Sequence, residues 1–129
     1  MRGKPASEAL TVGELYSRKS LAKLFNITDA TLNNGVFRPK GHSSIWLFVT
    51  KNKASNRTPY KDQLAGDVLH WQGQKAGRSD QMIIEHKKRG FELLVFYRTE
   101  ADEPFRYEGL FEYVDHEGGQ PTEFKLIRV

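Results

Sequence analysis

The sequence predicts a mainly β domain with two helices, folded as a small mixed barrel. Residues 44–50 and 91–98 are apolar on both faces, which is typical of central, buried strands. Residues 105–113 alternate aromatic and other side chains, which indicates a third strand. Because strands and helices do not alternate regularly, we do not expect a sheet built from repeated strand–helix–strand units.

Both predicted helices carry recognisable start and stop signals. The first covers residues 17–25, where Ser17 is a candidate N-cap and Asn26 a candidate stop. The second covers residues 78–90, with cations in its last turn and Gly90 at its end.

Turn residues divide the remaining strands. A strand that begins at Val36 is interrupted by residues 39–43, and Gly118 and Gly119 turn the chain into a last strand at 122–129. Residues 1–13 contain few apolar groups, so we expect a flexible lead-in there and a single folded domain over 14–129.

Composition excludes several classes of protein. The chain of 129 residues is 38% hydrophobic and has no cysteine, which fits a folded domain without disulfides or thiolate metal sites. No apolar run approaches the roughly 18 residues of a membrane span, and the N-terminus lacks the apolar stretch of a secretory signal. We therefore expect a cytoplasmic protein with no membrane partner.

Charge is distributed unevenly along the chain. Residues 1–61 hold 11 Lys and Arg against 3 Asp and Glu, whereas residues 62–129 hold 9 against 13. A polarised chain of this kind presents a basic face to a polyanion such as nucleic acid. The alternative is a solvated surface with patchy charge.

Residues 51–74 form the most informative segment. Its first part carries four cations and no acid before Asp62, with Asn, Ser and Thr side chains between the cations. Cations contact phosphates, and Arg, Asn and Gln form paired hydrogen bonds with base edges. Apolar residues such as Leu64 and Trp71 anchor the segment, so we interpret it as an ordered arm directed towards DNA.

A small metal-dependent nuclease is one alternative function. The carboxylate-x-lysine pattern of such enzymes occurs at residues 85–87 and 123–125, and Asp115 is the closest upstream carboxylate to the second match. This three-residue pattern is unspecific, and no two histidines lie four residues apart on a helix. We therefore expect no catalytic residue, no metal and no cofactor.

The aromatic residues suggest packing more than stacking on bases. Trp46 lies in an apolar strand and is expected in the core, whereas Trp71 could pack in the core, stack on a base or, as we favour, anchor the arm. The aromatic stripe over 105–113 could be a platform for single strands. However, residues 100–117 carry seven acids and one cation, so a role in the core is expected.

A spaced series of motifs resembles a prokaryotic family of DNA-binding pseudobarrel domains. That family occurs in restriction endonucleases and helicase–nuclease fusions, and its fold is similar to plant transcription-factor domains of the auxin-response type. The resemblance covers about residues 14–127 and rests on residues 46–50, 57–62, 66–67, 69–74, 83–86, 90, 93–98 and 104–109.

The resemblance implies a seven-stranded open barrel with two helices, in which two arms grip the major groove. By position, residues 38–44 would be the first arm and residues 51–63 the second. It also implies a sequence-specific, non-catalytic domain that binds double-stranded DNA in a restriction endonuclease, whose C-terminal nuclease domain lies outside this chain. The candidate DNA-binding residues are Arg38, Lys40, His42, Ser43, Lys51, Lys53, Asn56, Arg57, Thr58, Tyr60, Lys61, Gln72 and Gln74.

A reader of modified cytosine is the other alternative function. Such a protein needs an aromatic-walled pocket to receive a base that is extruded from the duplex. A cavity beside Trp71 or Tyr60 would favour it.

Overall fold

A computed structural model describes residues 5–52, 63–73, 80–119 and 122–129. These residues contain eight strands and two α-helices, and two short 3-10 turns precede β1 and β2. In chain order, the elements are β1 (Leu15–Tyr16), α1 (Arg18–Phe25), β2 (Val36–Phe37), β3 (Ser44–Asn52), β4 (Gln63–Ala65), β5 (Val68–Gln72), α2 (Asp80–Ile84), β6 (Glu92–Glu100), β7 (Phe105–Glu117) and β8 (Glu123–Arg128).

The strands form one open sheet in the order β2-β3-β6-β7-β8-β5-β4, and β1 pairs with the start of β7. The predicted fold class, mainly β with two helices in an open barrel, is confirmed. The described residues contain eight strands, not the seven that the resemblance implies, because β1 adds a two-residue pairing to β7. One feature was not predicted: β3 and β6 pair in parallel, and the chain between them contains β4, β5 and α2.

Two hydrophobic clusters lie on opposite faces of the central strands. Ile45, Leu47 and Val49 of β3 point into an inner cluster, together with residues of β5 to β8 and Ile83 of α2. Trp46 and Phe48 point the other way, into an outer cluster that α1 covers. The prediction that residues 44–50 form a strand buried on both faces is therefore confirmed.

The first helix has the predicted boundaries. Ser17 caps it through a reciprocal capping box with Ser20, and Asn26 ends it in the left-handed conformation with φ 55°. The second helix is shorter than residues 78–90, because it ends at Ile84 and the chain continues in turns.

Buried His86 fixes the turns that follow α2. Its Nδ1 lies 2.9 Å from the Phe91 carbonyl oxygen, and its Nε2 accepts a hydrogen bond from the Tyr113 backbone at 3.2 Å. Burial lowers the pKa of His86, which favours the neutral ring that this pair of bonds requires.

The lead-in is packed where the structure describes it. Ala6 is fully buried, and Ser7 donates to Glu92 through its backbone N–H at 3.0 Å and its hydroxyl at 2.6 Å. Glu92 therefore attaches Ser7 to β6, and the boundary between a flexible lead-in and the domain stays a prediction.

No helix within the described residues is long and apolar enough to cross a membrane.

Candidate nucleic-acid interface

Several chain connections lie at one end of the sheet, where β3, β6 and β8 begin and β5 and β7 end. We call this end the loop end. Ser44 and Glu92, which pair with each other, begin the parallel strands β3 and β6 at this end. The antiparallel strands place Gln72, Glu117 and Glu123 towards the same end, because Glu123 pairs with both of the others. Residues 38–43, which lead into β3, therefore lie at the same end as the last residues of β5 and β7.

The first predicted arm brings cations to the loop end. Arg38 is exposed, and its guanidinium carbon lies 4.9 Å from the centre of the Phe91 ring. Lys40 is exposed as well, whereas His42 and Ser43 are half-buried, and the His42 ring packs edge-on against Phe25 at 5.4 Å.

The two predicted arms leave β3 from opposite ends. Lys51 is exposed near the last residue of β3. At about 3.3 Å per residue, Lys51 lies roughly 20–25 Å from Ser44. The structure therefore does not bring Lys51 together with Arg38 and Lys40.

Seven other candidates lie outside the described residues and stay predictions. They are Lys53, Asn56, Arg57, Thr58, Tyr60, Lys61 and Gln74. Of the candidates behind the second arm, Gln72 is described: it is half-buried and is the last residue of β5.

A cavity of about 390 Å³ lies beside Trp71, and we call it the cleft. Its walls come from β4, β5, β8 and the end of β7, and successive residues of β5 and β8 alternate between core and solvent. The lining residues are Gln63, His70, Trp71, Gln72, Asp115, His116, Glu117, Glu123, Phe124 and Lys125.

Aromatic rings adjoin the polar groups of the cleft. Trp71 and Phe124 stack across the β5–β8 pair with ring centroids 5.6 Å apart. The Tyr113 hydroxyl lies 2.6 Å from His116 Nδ1, and the His116 ring lies 6.1 Å from Phe124. Trp71 is buried, so it is a core residue that borders the cleft.

Gly73 holds the end of β5 close to the start of β8. Its backbone N–H donates to the Thr122 carbonyl at 2.8 Å. A Cβ at this position would lie 2.9 Å from Phe124 Cε2 and 3.0 Å from Asp80 Oδ1. Only glycine allows this close approach, which fixes the cleft residue Gln72 beside Glu123.

The carboxylates of the nuclease alternative do share a face of the sheet. Asp115 pairs with Lys125, and two positions further on, on the same face, Glu117 pairs with Glu123. Within the described ranges, however, no three His, Cys, Asp or Glu side chains are placed to hold a metal ion.

The other carboxylate-x-lysine match, at residues 85–87, forms hydrogen bonds and an ion pair with nearby side chains. Glu85 accepts from Gln81 and from Arg89, and these hydrogen bonds lower the pKa of Glu85. Lys87 pairs with Glu112 at 3.4 Å.

Sequence reasoning missed five residues of the cleft: Gln63, His70, His116, Glu117 and Phe124. His70 and Gln72 alternate with buried Leu69 and Trp71, and this alternation marks them as one solvent face of a strand. The sequence alone does not show the strand register by which β8 brings these residues of β5 close to the end of β7.

Comparisons with known proteins give a family for the chain and solved structures of similar fold. Residues 10–126 match a family described as a domain of unknown function, DUF3427. No curated protein matches the chain significantly.

Three solved structures of the SUVH5 SRA domain resemble this protein. Each alignment covers 100% of this chain and 94% of the SRA chain. The complex with methylated CHH DNA has 18% identity and a TM-score of 0.61. The complex with hemi-methylated CG DNA has 19% identity and a TM-score of 0.55, and that with fully hydroxymethylated CG DNA has 20% and 0.54. At these identities, the likeness establishes the shared fold.

Proposed function

The chain belongs to the DUF3427 family, and we propose that it is a double-stranded DNA-binding domain that reads modified cytosine. The observation that carries this proposal is the cleft beside Trp71, in a chain whose whole length has the fold of SRA domains solved with methylated or hydroxymethylated DNA. It is the cavity that distinguishes a cytosine reader from a protein that recognises sequence alone.

The chemistry of the cleft suits a base better than a phosphate. Asp115, Glu117 and Glu123 surround it with negative charge, and among the described residues that line it Lys125 is the one Lys or Arg. Carboxylates repel phosphates but accept hydrogen bonds from the amino group of cytosine. A cytosine extruded from the duplex would therefore find acceptors at the strand ends and aromatic rings beside them.

Cations at the loop end supply the complementary contacts to phosphates. Arg38, Lys40 and Lys88 are exposed there, and Lys88 lies in the turns between α2 and β6. Cations near a phosphate release condensed counterions, which favours binding to any duplex. Modified cytosine would then be selected by the cleft.

We propose that the domain binds DNA without cutting it. This is supported by the local roles of Glu85 and Lys87, which make contacts within and beside α2. A nuclease domain of the same protein, as the resemblance to restriction enzymes implies, would supply cleavage.

Sequence-specific recognition by two arms in the major groove is the weaker proposal. The predicted arms leave β3 at positions roughly 20–25 Å apart. Of the residues that line the cleft, Gln72 alone is among the candidates for that mechanism.

Fluorescence anisotropy with three duplexes of one sequence tests the proposed function. At a single position the first carries unmodified cytosine, the second 5-methylcytosine and the third 5-hydroxymethylcytosine. Because a good set of base contacts discriminates by about 1–3 kcal/mol, we expect a modified duplex to bind roughly tenfold more tightly or better. Equal affinity for all duplexes of one sequence, with strong dependence on sequence, would favour the two-arm mechanism instead.

A further inference from the structure

Two arginines meet on one aromatic ring at the opposite end of the sheet from the cleft. The guanidinium carbon of Arg98 lies 4.2 Å from the centre of the Phe105 ring, and that of Arg18 lies 5.0 Å from the same centre. Arg18 also lies 4.6 Å from the centre of the Phe48 ring. These rings hold two like charges close together.

Position on β3 and β6 separates this pair from the loop end. Arg98 pairs with Thr50 near the last residues of these strands, and its Nε donates to the Thr50 hydroxyl at 2.8 Å. A cavity of about 330 Å³ adjoins both arginines, and Ser17, Asp102 and Glu103 contribute to its lining.

Neither arginine has a carboxylate partner within ion-pair distance among the described residues. Arg18 Nε donates to the Leu32 carbonyl at 3.1 Å, and Arg98 Nη1 donates to the Glu103 carbonyl at 3.2 Å. The Glu103 carboxylate instead accepts from the Glu100 backbone at 2.9 Å.

The arrangement has an electrostatic cost that an anion would remove. Burial and then repulsion by Arg98 lower the pKa of Arg18. Burial also lowers the pKa of Arg98, although Asp102 and Glu103 partly oppose this. Because two arginines are offset by two nearby acids, the region is close to neutral overall. A ligand would depend on direct N–H donors more than on long-range attraction.

We propose that Arg18 and Arg98 form a phosphate-binding site, in which both guanidinium groups donate to the oxygens of one phosphoryl group. The planar fork of arginine matches phosphate geometry, and Phe105 holds the two forks towards the same cavity. The phosphoryl group comes either from a free phosphate compound or from a DNA backbone.

Isothermal titration with pyrophosphate tests this site without the use of DNA. Charge-assisted hydrogen bonds are strong, so we expect Arg98→Gln and Arg18→Gln each to weaken pyrophosphate binding about tenfold or more. Lys23→Gln is the matched control, because it removes one charge from an exposed position of α1, and it should leave binding within about twofold. Circular dichroism confirms the fold of each variant.

Arg98→Lys covers the case in which a glutamine variant does not fold. It keeps the charge but removes the forked donors, so weaker binding is again expected. The proposal would be overturned if the wild-type protein did not bind pyrophosphate, or if Arg98→Lys bound it as tightly as the wild type does. Equal affinities of Arg98→Gln and Lys23→Gln for pyrophosphate would overturn it as well.

A competing duplex identifies the source of the phosphoryl group. Displacement of pyrophosphate by unmodified duplex DNA would assign the site to the DNA backbone, whereas simultaneous binding would assign it to a free phosphate compound. Failure of the cytosine-reader proposal does not affect this titration, because its signal comes from pyrophosphate alone.

Discussion

Replacement of Trp46 by alanine should lower the free energy of unfolding by about 3–5 kcal/mol. Trp46 is fully buried in the outer cluster, where its ring contacts four aromatic rings. Alanine would remove this packing and leave a cavity between α1 and the central strands. Urea denaturation followed by circular dichroism measures the change.

Two control variants separate packing from other effects. Trp46→Phe retains an aromatic ring and removes an indole N–H that has no hydrogen-bond partner within the described residues, so the decrease in stability should be clearly smaller. Leu24→Ala changes a helix residue that is 51% exposed and should cost less than about 1 kcal/mol. A Trp46→Ala decrease no larger than that of Leu24→Ala would contradict the described core.

Reversal of charge at Arg38 and Lys40 should weaken binding to every duplex by roughly 100-fold at low salt. Both side chains are exposed at the loop end, so replacement by glutamate would repel the phosphates that they are proposed to contact. The slope of affinity against salt should also fall by about one unit for each phosphate that the variant no longer neutralises. Anisotropy titrations from about 50 to 200 mM salt measure both quantities.

The matched control reverses Lys19 and Arg106, two exposed cations that are not among the candidate DNA-binding residues. This double variant has the same change in net charge, and its affinity should remain within roughly threefold of the wild type, because screening limits the effect of distant charges. Equally weakened binding in the two double variants would show that the loop end is not the DNA-binding surface.

Local signals in the sequence predict much of the fold. Ser17 and Asn26 set the limits of α1 because capping depends on nearby backbone groups. The apolar pattern at residues 44–50 predicts a strand buried on both faces, and the inner and outer clusters confirm it. Such features depend on neighbours in the chain and can be recognised without tertiary contacts.

Long-range features could not be predicted in the same way. The parallel pairing of Ser44 with Glu92 depends on how the chain between β3 and β6 folds back. The attachment of Ser7 to Glu92 joins residues 85 positions apart. The cleft depends on the register that places Glu123 between Gln72 and Glu117, so its residues are scattered in the sequence.

The most direct test of a cytosine-reading cleft is base extrusion, measured with 2-aminopurine placed beside the methylated cytosine. Extrusion unstacks the probe, so its fluorescence should rise when the wild-type protein binds the methylated duplex, and rise much less with the unmodified duplex. Glu123→Gln, which removes the charge and replaces one carboxylate oxygen of the cleft with an amide donor, should reduce the rise, whereas Glu8→Gln at an exposed position outside the cleft should not. A saturated complex without this rise, or the same rise in both variants, would contradict the assignment of the cleft as the site that reads modified cytosine.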